Sequence, residues 1–442
     1  MARFTRDVVH TLLAQGPVLA FGLATSVLTA RALGPDARGL WALCFMIANS
    51  AVFAASLHVG QALVFHVGRR GLAPERALGA LLLLVAALGA LVFAALRLLE
   101  APLLALFDDL RPETLRLASV LAPLMLANGA LTELFRALDR LDLFNFCRNL
   151  EPASRLAALG LAFAFGAGLE GALVAAALAE ALILPAQIAI ALRLARPALR
   201  GAVGAAGGLL AYGARVQGAM ALGHVDQRLS GFIVAYFAAA SELAFYAIAE
   251  GLVMAVLAIP TLVGSVLQPK IARQGDASAA RMTAATCRSS LFVALAICAA
   301  IALAVRPLVH ALYGAAYLPA AGVVLALLPV AVARAGVRIL SRYLLVANRV
   351  RVLAVASGAT VLLHAALLLA LVPPLGIVGA ALATSASYAA QLALVVAAFR
   401  REVAVPLREI LVVDRDDLAR LARTGLDALS LRALRPAGRG RG

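Results

Sequence analysis

Along the chain, runs of about twenty apolar residues alternate with short polar connections rich in arginine. A helix of ~20 such residues crosses the ~30 Å hydrocarbon core of a bilayer. About twelve spans fit this pattern: 8–30, 40–64, 77–98, 114–135, 156–167 with its flanks, 172–192, 209–237, 243–267, 283–304, 320–342, 352–372 and 377–398. After the fifth, GAGLEG leaves little room for a turn. The pattern predicts an all-α, polytopic membrane protein. One span departs from it. Leu209 to Phe237 is long and apolar enough to cross, yet it carries Arg215, His224, Asp226 and Arg228. An unpaired Arg or Asp at a helix centre in lipid costs ~2.5–3.5 kcal/mol on insertion scales. Such groups persist only where they face protein or water, so this span is expected to wall a polar path.

The connections then orient the spans. Nineteen basic residues fall in loops on one side, from Arg3 and Arg6 to Arg349 and Arg351, before a tail with ten more. The other side holds six: Arg31, Arg38, Arg97, Arg111, Arg116 and Arg306. The positive-inside rule places both termini in the cytoplasm. The acidic connection LFDDLRPE falls outside. The inner connection RALDRLDLFNFCRNLEPASR alternates charges with Leu and Phe, which predicts a short amphipathic helix at the cytoplasmic interface. Residues 400–442 are too polar to span. With Leu418, Leu421 and Leu429 near helical spacing, they predict a surface-lying helix or a docking segment for a partner enzyme, then a disordered GRGRG end.

Composition agrees with the pattern. The chain is 63% hydrophobic and 14% charged, against ~45–50% and ~25% in soluble domains. A net charge of +16 would suggest nucleic acid in a soluble protein. Here the charge lies in short loops, and no aromatic-basic interleaving accompanies it, so it is read as topology-setting. Cys44, Cys147, Cys287 and Cys298 have neither CxxC spacing nor a histidine cluster, so neither a metal site nor a disulfide framework is expected. The apolar segment after MARFTRDVVH is too long for a signal-peptide core and lacks a convincing cleavage site, so it reads as a retained first span. A P-loop needs Gly-Lys-Ser/Thr after a glycine-rich run, and the only lysine is Lys270 in QPKIAR. An ATP-driven pump is therefore excluded.

A shift of 205 residues aligns RALGPDARGLWAL (31–43) with YFAAASELAFYAI (236–248). Each closes a long span with a short external turn. Two six-span halves are expected, residues 1–200 and 201–399, followed by the tail. Halves of like topology are related by an axis along the membrane normal, and transporters built this way place substrate between them.

The turn ARALGPDARGLWAL resembles the start of bacterial polysaccharide flippases, lipid-linked oligosaccharide exporters of the multidrug/oligosaccharidyl-lipid/polysaccharide exporter superfamily. Asp226-Gln227-Arg228 with AFYAIAEGL (244–252) resembles the opening of the family's second half. VHALYGAAYLPAAGVVLALLP (309–329) and LVPPLGIVGAALATSASY (371–388) resemble its later external turns and spans. The four stretches run in order over nearly the whole chain. They are specific for the fold but not for the cargo. The resemblance implies two pseudo-symmetric six-helix bundles around a central cavity open alternately to each side. It also implies transfer of an undecaprenyl-diphosphate-linked oligosaccharide to the outer leaflet of the bacterial inner membrane, for O-antigen or exopolysaccharide. Glycosyltransferases and the polymerase of that pathway would be partners, the protein itself a monomer without cofactor, and nucleic acid no ligand.

Such a cargo needs cations and hydrogen-bonding groups kept away from lipid. Arginine binds phosphate oxygens in pairs and stays charged. Arg215 and Arg228 are candidates on the seventh span, and Arg334 and Arg338 on the tenth. Arg342 continues their i, i+4 row but is expected to snorkel to the interface. Gln15, Asn49 and Asn128 are uncharged candidates, and His224 a polar lining residue. Glu180, Asp226 and Glu250 either neutralise arginines or couple transport to protons or Na⁺. Pro17, Pro123, Pro185, Pro260 and Pro329 would kink their spans. Two rivals stand beside this reading. A multidrug antiporter of the same superfamily would need acids in its cavity. A polytopic glycosyltransferase or polymerase using Asp108-Asp109 would need a larger external loop than this chain has.

Overall fold

The computed structural model describes residues 2–412 except 199, 258–266, 268–270, 272–275 and 404; the side chains of residues 2–15, 276 and 277 also fall outside the description. The described chain is helical throughout. In order the helices are α1 (Ala2–Ser56), α2 (Val59–Arg70), α3 (Pro74–Leu98), α4 (Glu100–Leu106), α5 (Pro112–Ala137), α6 (Leu141–Ala164), α7 (Leu169–Leu194), α8 (Ala202–Phe237), α9 (Ala240–Val256), α10 (Asp276–Tyr313), α11 (Ala320–Val346), α12 (Val350–Glu402) and α13 (Leu407–Leu411).

Among the described residues, seven helices are long and apolar enough to cross a membrane. Two of them hold two expected spans each. Gly34 breaks α1 at φ 74° and Gly376 breaks α12 at φ 57°, both in the left-handed region that glycine tolerates. The all-α, polytopic membrane fold is thus observed. The fifth, seventh and eighth expected spans lie on α6, α8 and α9, outside those seven. The start of α6 is charged, α8 carries the polar run already noted, and α9 is described over only 17 residues.

The chain forms two compact units. The first comprises Val18–Ala247 and Leu312–Tyr317; the second comprises Met1–Pro17, Ile248–Ala311 and Leu318–Gly442. Packing therefore draws its boundary at 247/248, whereas the repeat drew one at 200/201. Helix α8 accounts for the difference, because it packs on α2 and α3. The core of the first unit joins Val59 and Leu63 of α2, Leu78 and Leu81 of α3, Leu134 and Phe135 of α5, and Leu209 of α8. In the second unit, Leu291 of α10, Ile339, Leu340 and Leu344 of α11, Val395 and Phe399 of α12 and Ile410 of α13 close a second core.

Two local expectations are corrected. The inner connection 136–155 does not form a separate interfacial helix. Asp139 turns the chain with φ 58°, and from Leu141 one helix runs through Pro152 into the fifth span. No residue after Pro152 breaks it. The second span, by contrast, is interrupted where the sequence has no glycine or proline. Leu57 (φ 41°) and His58 (φ 47°) both adopt left-handed backbone between α1 and α2. Two adjacent bulky residues at positive φ persist only where their surroundings hold them. Pro260, Lys270 and the tail from residue 413 onward, with its expected surface helix, lie outside the described residues.

Candidate functional site

The break at Leu57–His58 is held by α8. A Cβ on Gly213 would stand 2.0 Å from the Leu57 carbonyl oxygen, so only glycine lets α8 come this close. One turn further on, Gln217 uses both ends of its amide. Its Nε2 donates to the Phe53 carbonyl at 2.9 Å, and its Oε1 lies 2.5 Å from His58 Nδ1. Two turns beyond that, the His224 ring stacks on Phe53, with centroids 3.7 Å apart and planes 5° from parallel. Residues 213, 217 and 224 share one face of α8 by helical periodicity. The neighbouring face presents Arg215, which is exposed and makes no ion pair among the described residues. Asp226 and Arg228 are half-buried further along α8.

A second polar cluster sits inside the first unit. Glu180 of α7 is 1% exposed. Its Oε1 accepts from Arg155 Nη2 at 2.5 Å, and its Oε2 accepts from Asn128 Nδ2 at 2.7 Å. The same Asn128 nitrogen also donates to the Glu180 carbonyl at 2.9 Å. Arg155 Nη2 donates to Glu151 Oε1 at 2.9 Å as well, and its guanidinium lies 5.3 Å from the centroid of the Phe45 ring. One arginine thus serves two carboxylates. A buried carboxylate with a paired cation and an amide donor avoids most of the desolvation cost that an unpaired one would carry.

The third cluster belongs to the second unit. Arg334 of α11 lies over the Tyr388 ring of α12, 4.7 Å from its centroid, and its Nη1 is 3.7 Å from Met254 Sδ of α9. Beyond Tyr388, His364 Nε2 lies 3.2 Å from Thr384 Oγ1, and both residues are buried. Among the described residues, Arg334 is therefore held by a π face and a soft sulfur rather than by a carboxylate.

The sequence candidates distribute as follows. Asn128 and Glu180, expected in separate roles, form one cluster. Arg155, read as a topology-setting charge, instead reaches inward to that cluster, because Glu151 one turn earlier on α6 aligns it with α7. Arg38, read as an external loop charge, is 8% exposed and lies in the field of Tyr313 and Tyr317. Asn49 Nδ2 donates back to the Phe45 carbonyl one turn earlier in its own helix, at 2.7 Å. Arg338 and Arg342 are half-buried along α11, and Glu250 is half-buried on α9. Gln15 belongs to α1, but its side chain lies outside the described residues. Sequence reasoning missed Phe53, His58, Gln217, Glu151, Tyr388 and His364. Only Glu151 left a signal, its i, i+4 spacing to Arg155.

Residues 28–322 match the family described as polysaccharide biosynthesis protein. The chain belongs to this family. No curated protein matches the sequence. Among solved structures, this polysaccharide biosynthesis protein is similar to the lipid II flippase MurJ in an inward closed conformation. That likeness has a TM-score of 0.71 at 13% identity and covers 96% of this chain and 98% of that one. It is similar to an inward-facing multidrug resistance MATE family transporter of the MOP superfamily, with a TM-score of 0.66 at 14% identity over 88% and 94% of the two chains. A MOP superfamily transporter from Pyrococcus furiosus is similar at a TM-score of 0.60 and 14% identity, over 91% and 95%. At such identities the likeness establishes the fold alone, the polytopic helical fold that these structures share.

Proposed function

We propose that this polysaccharide biosynthesis protein is a flippase. It moves an undecaprenyl-diphosphate-linked oligosaccharide from the inner to the outer leaflet of a bacterial inner membrane by alternating access, for surface polysaccharide synthesis. The family match over residues 28–322 carries this reading, and the likeness to a lipid II flippase supports it. The charges fit an anionic cargo. Arg215 makes no ion pair among the described residues, and Arg334 packs against Tyr388 and Met254. Arg215 and Arg228 on α8, and Arg334 and Arg338 on α11, are the candidates for binding diphosphate oxygens, in the forked geometry guanidinium groups allow. Stacked rings such as Phe53 and His224 suit the faces of sugars.

The likeness to MATE transporters favours a second reading, a cation-coupled multidrug antiporter. A cationic drug needs an available carboxylate. The most deeply buried one, Glu180, is already engaged by Arg155 and Asn128. The anionic cargo is therefore preferred, and a polymerase or glycosyltransferase role at Asp108-Asp109 ranks below both. Asp226, Glu180 and Glu250 remain the candidates for coupling to protons or Na⁺. Glycosyltransferases and the polymerase of the pathway are the expected partners.

The decisive experiment is flipping of a defined undecaprenyl-diphosphate glycan in proteoliposomes, with and without a pH gradient. Transfer above the protein-free rate supports the reading. An unchanged rate, together with rescue of drug resistance in an efflux-deficient cell, would transfer the assignment to the antiporter.

A further inference from the structure

The second unit contains an apolar groove of about 870 Å³, bounded by α10, α11, α12 and α13. Leu295 and Cys298 form one wall, Leu328 the second, and Leu392 and Ala393 the third. Leu411 of the short α13 lies at one end. The groove is open: Leu295 is 57% exposed and Leu325 45%. Its one charged lining residue is Arg400. Arg400 is exposed and makes no hydrogen bond or ion pair among the described residues.

We propose that this groove is a binding site for one anionic phospholipid of the leaflet that the arginine-rich loops face, with an acyl chain in the groove and the phosphate on Arg400. Length supports it. The α12 wall runs from Ala389 to Arg400, roughly 16 Å at 1.5 Å per residue. That is about half of a ~30 Å hydrocarbon core, the depth of a single leaflet. Charge supports it too. Arg400 lies in the last turn of α12, and Arg401 and Arg408 are exposed near it in the chain. Glu402, the nearest acid along the chain, is occupied: it pairs with Arg349 at 2.8 Å. Basic pockets between helices at the cytoplasmic face favour anionic head groups. α13 completes the site, since Leu407 and Leu411 turn toward the groove while Ile410 is buried in the core. This site is independent of the transport reading.

The test is native mass spectrometry of the full chain in nanodiscs that mix phosphatidylglycerol and phosphatidylcholine with identical acyl chains. The wild type should retain one phosphatidylglycerol at least fivefold over phosphatidylcholine. Arg400→Ala should abolish that preference, and Arg401→Ala should keep it. Ala393→Trp, which fills the groove, should lose both lipids while melting within a few degrees of the wild type. Equal retention of the two lipids by the wild type would overturn the proposal, as would an unchanged preference in Arg400→Ala. Retention of an isoprenyl diphosphate in place of phospholipid would also overturn it and give the groove to the cargo.

Discussion

Arg155 and Glu180 form an ion pair inside the first unit, with Nη2 2.5 Å from Oε1 and the carboxylate 1% exposed. Removing one partner of such a pair strands the other, which costs about 3–5 kcal/mol. Arg155→Ala is therefore expected to lower the melting temperature in detergent sharply. Glu180→Gln, which keeps an oxygen for Asn128, should lower it much less. The double variant Arg155→Met/Glu180→Leu should be more stable than Arg155→Ala, because the deeply buried Glu180 charge is gone and only the half-buried Glu151 loses its partner. A double variant no better than the single would show that the pair is not coupled.

Gly213 meets the Leu57 carbonyl without room for a side chain. Gly213→Ala should push α8 off the break and destabilise the first unit by about 1–3 kcal/mol, the range of overpacked cores. Gln217→Leu should cost less, since it removes the bonds to Phe53 and His58 but adds no bulk. Cysteine accessibility at position 58 reports the difference: labelling should rise strongly in the glycine variant and modestly in the glutamine variant.

Arg215→Ala and Arg334→Ala should each reduce glycan flipping by at least tenfold without reducing membrane insertion. Arg334→Lys should recover little, because a compact ammonium lacks the planar face that stacks on Tyr388. Full export by both alanine variants would remove these arginines from the cargo path.

Tyr317 follows the tenth helix in a short 3-10 turn, 1% exposed, and its hydroxyl donates to the Ala30 carbonyl at 2.9 Å. Burial pushes its phenol up from the usual 10 to about 12, against a smaller downward pull from Arg38. The folded state thus holds the proton more tightly than the unfolded chain. Stability from this group is complete below pH 10 and lost as pH rises toward 12. In a phenolate absorbance titration, the difference between wild type and Tyr317→Phe should appear near pH 12. A difference near pH 10 would show that the phenol is solvated.

Much of this architecture was legible in the chain because lipid imposes a simple rule: backbone polar groups must be satisfied within each span. The apolar runs, Gly34 and Gly376 followed from that rule. The break at Leu57–His58 did not, because no local residue prefers it; a partner 159 positions away holds it. For the same reason Arg155 looked like a loop charge. Its role depends on Glu180, 25 residues on and on a different helix. Arg334 was visible as a deep cation, but Tyr388 and Met254 were not, since an aromatic or a methionine in a membrane span is unremarkable by composition.

The contacts at Gly213, Gln217 and His224 have a mechanical consequence. They are spread over eleven positions of α8, roughly 16 Å of helix at 1.5 Å per residue. Close approach, amide clamp and ring stack act at different heights, so neither sliding nor rotation of α8 past the broken second span leaves all of them intact. The charged span that opens the second sequence repeat is keyed in register to the second span of the first repeat. Helix α8, which carries Arg215 and Arg228, is thus tied to the end of α1 and the break that follows it, and a displacement of one is inherited by the other.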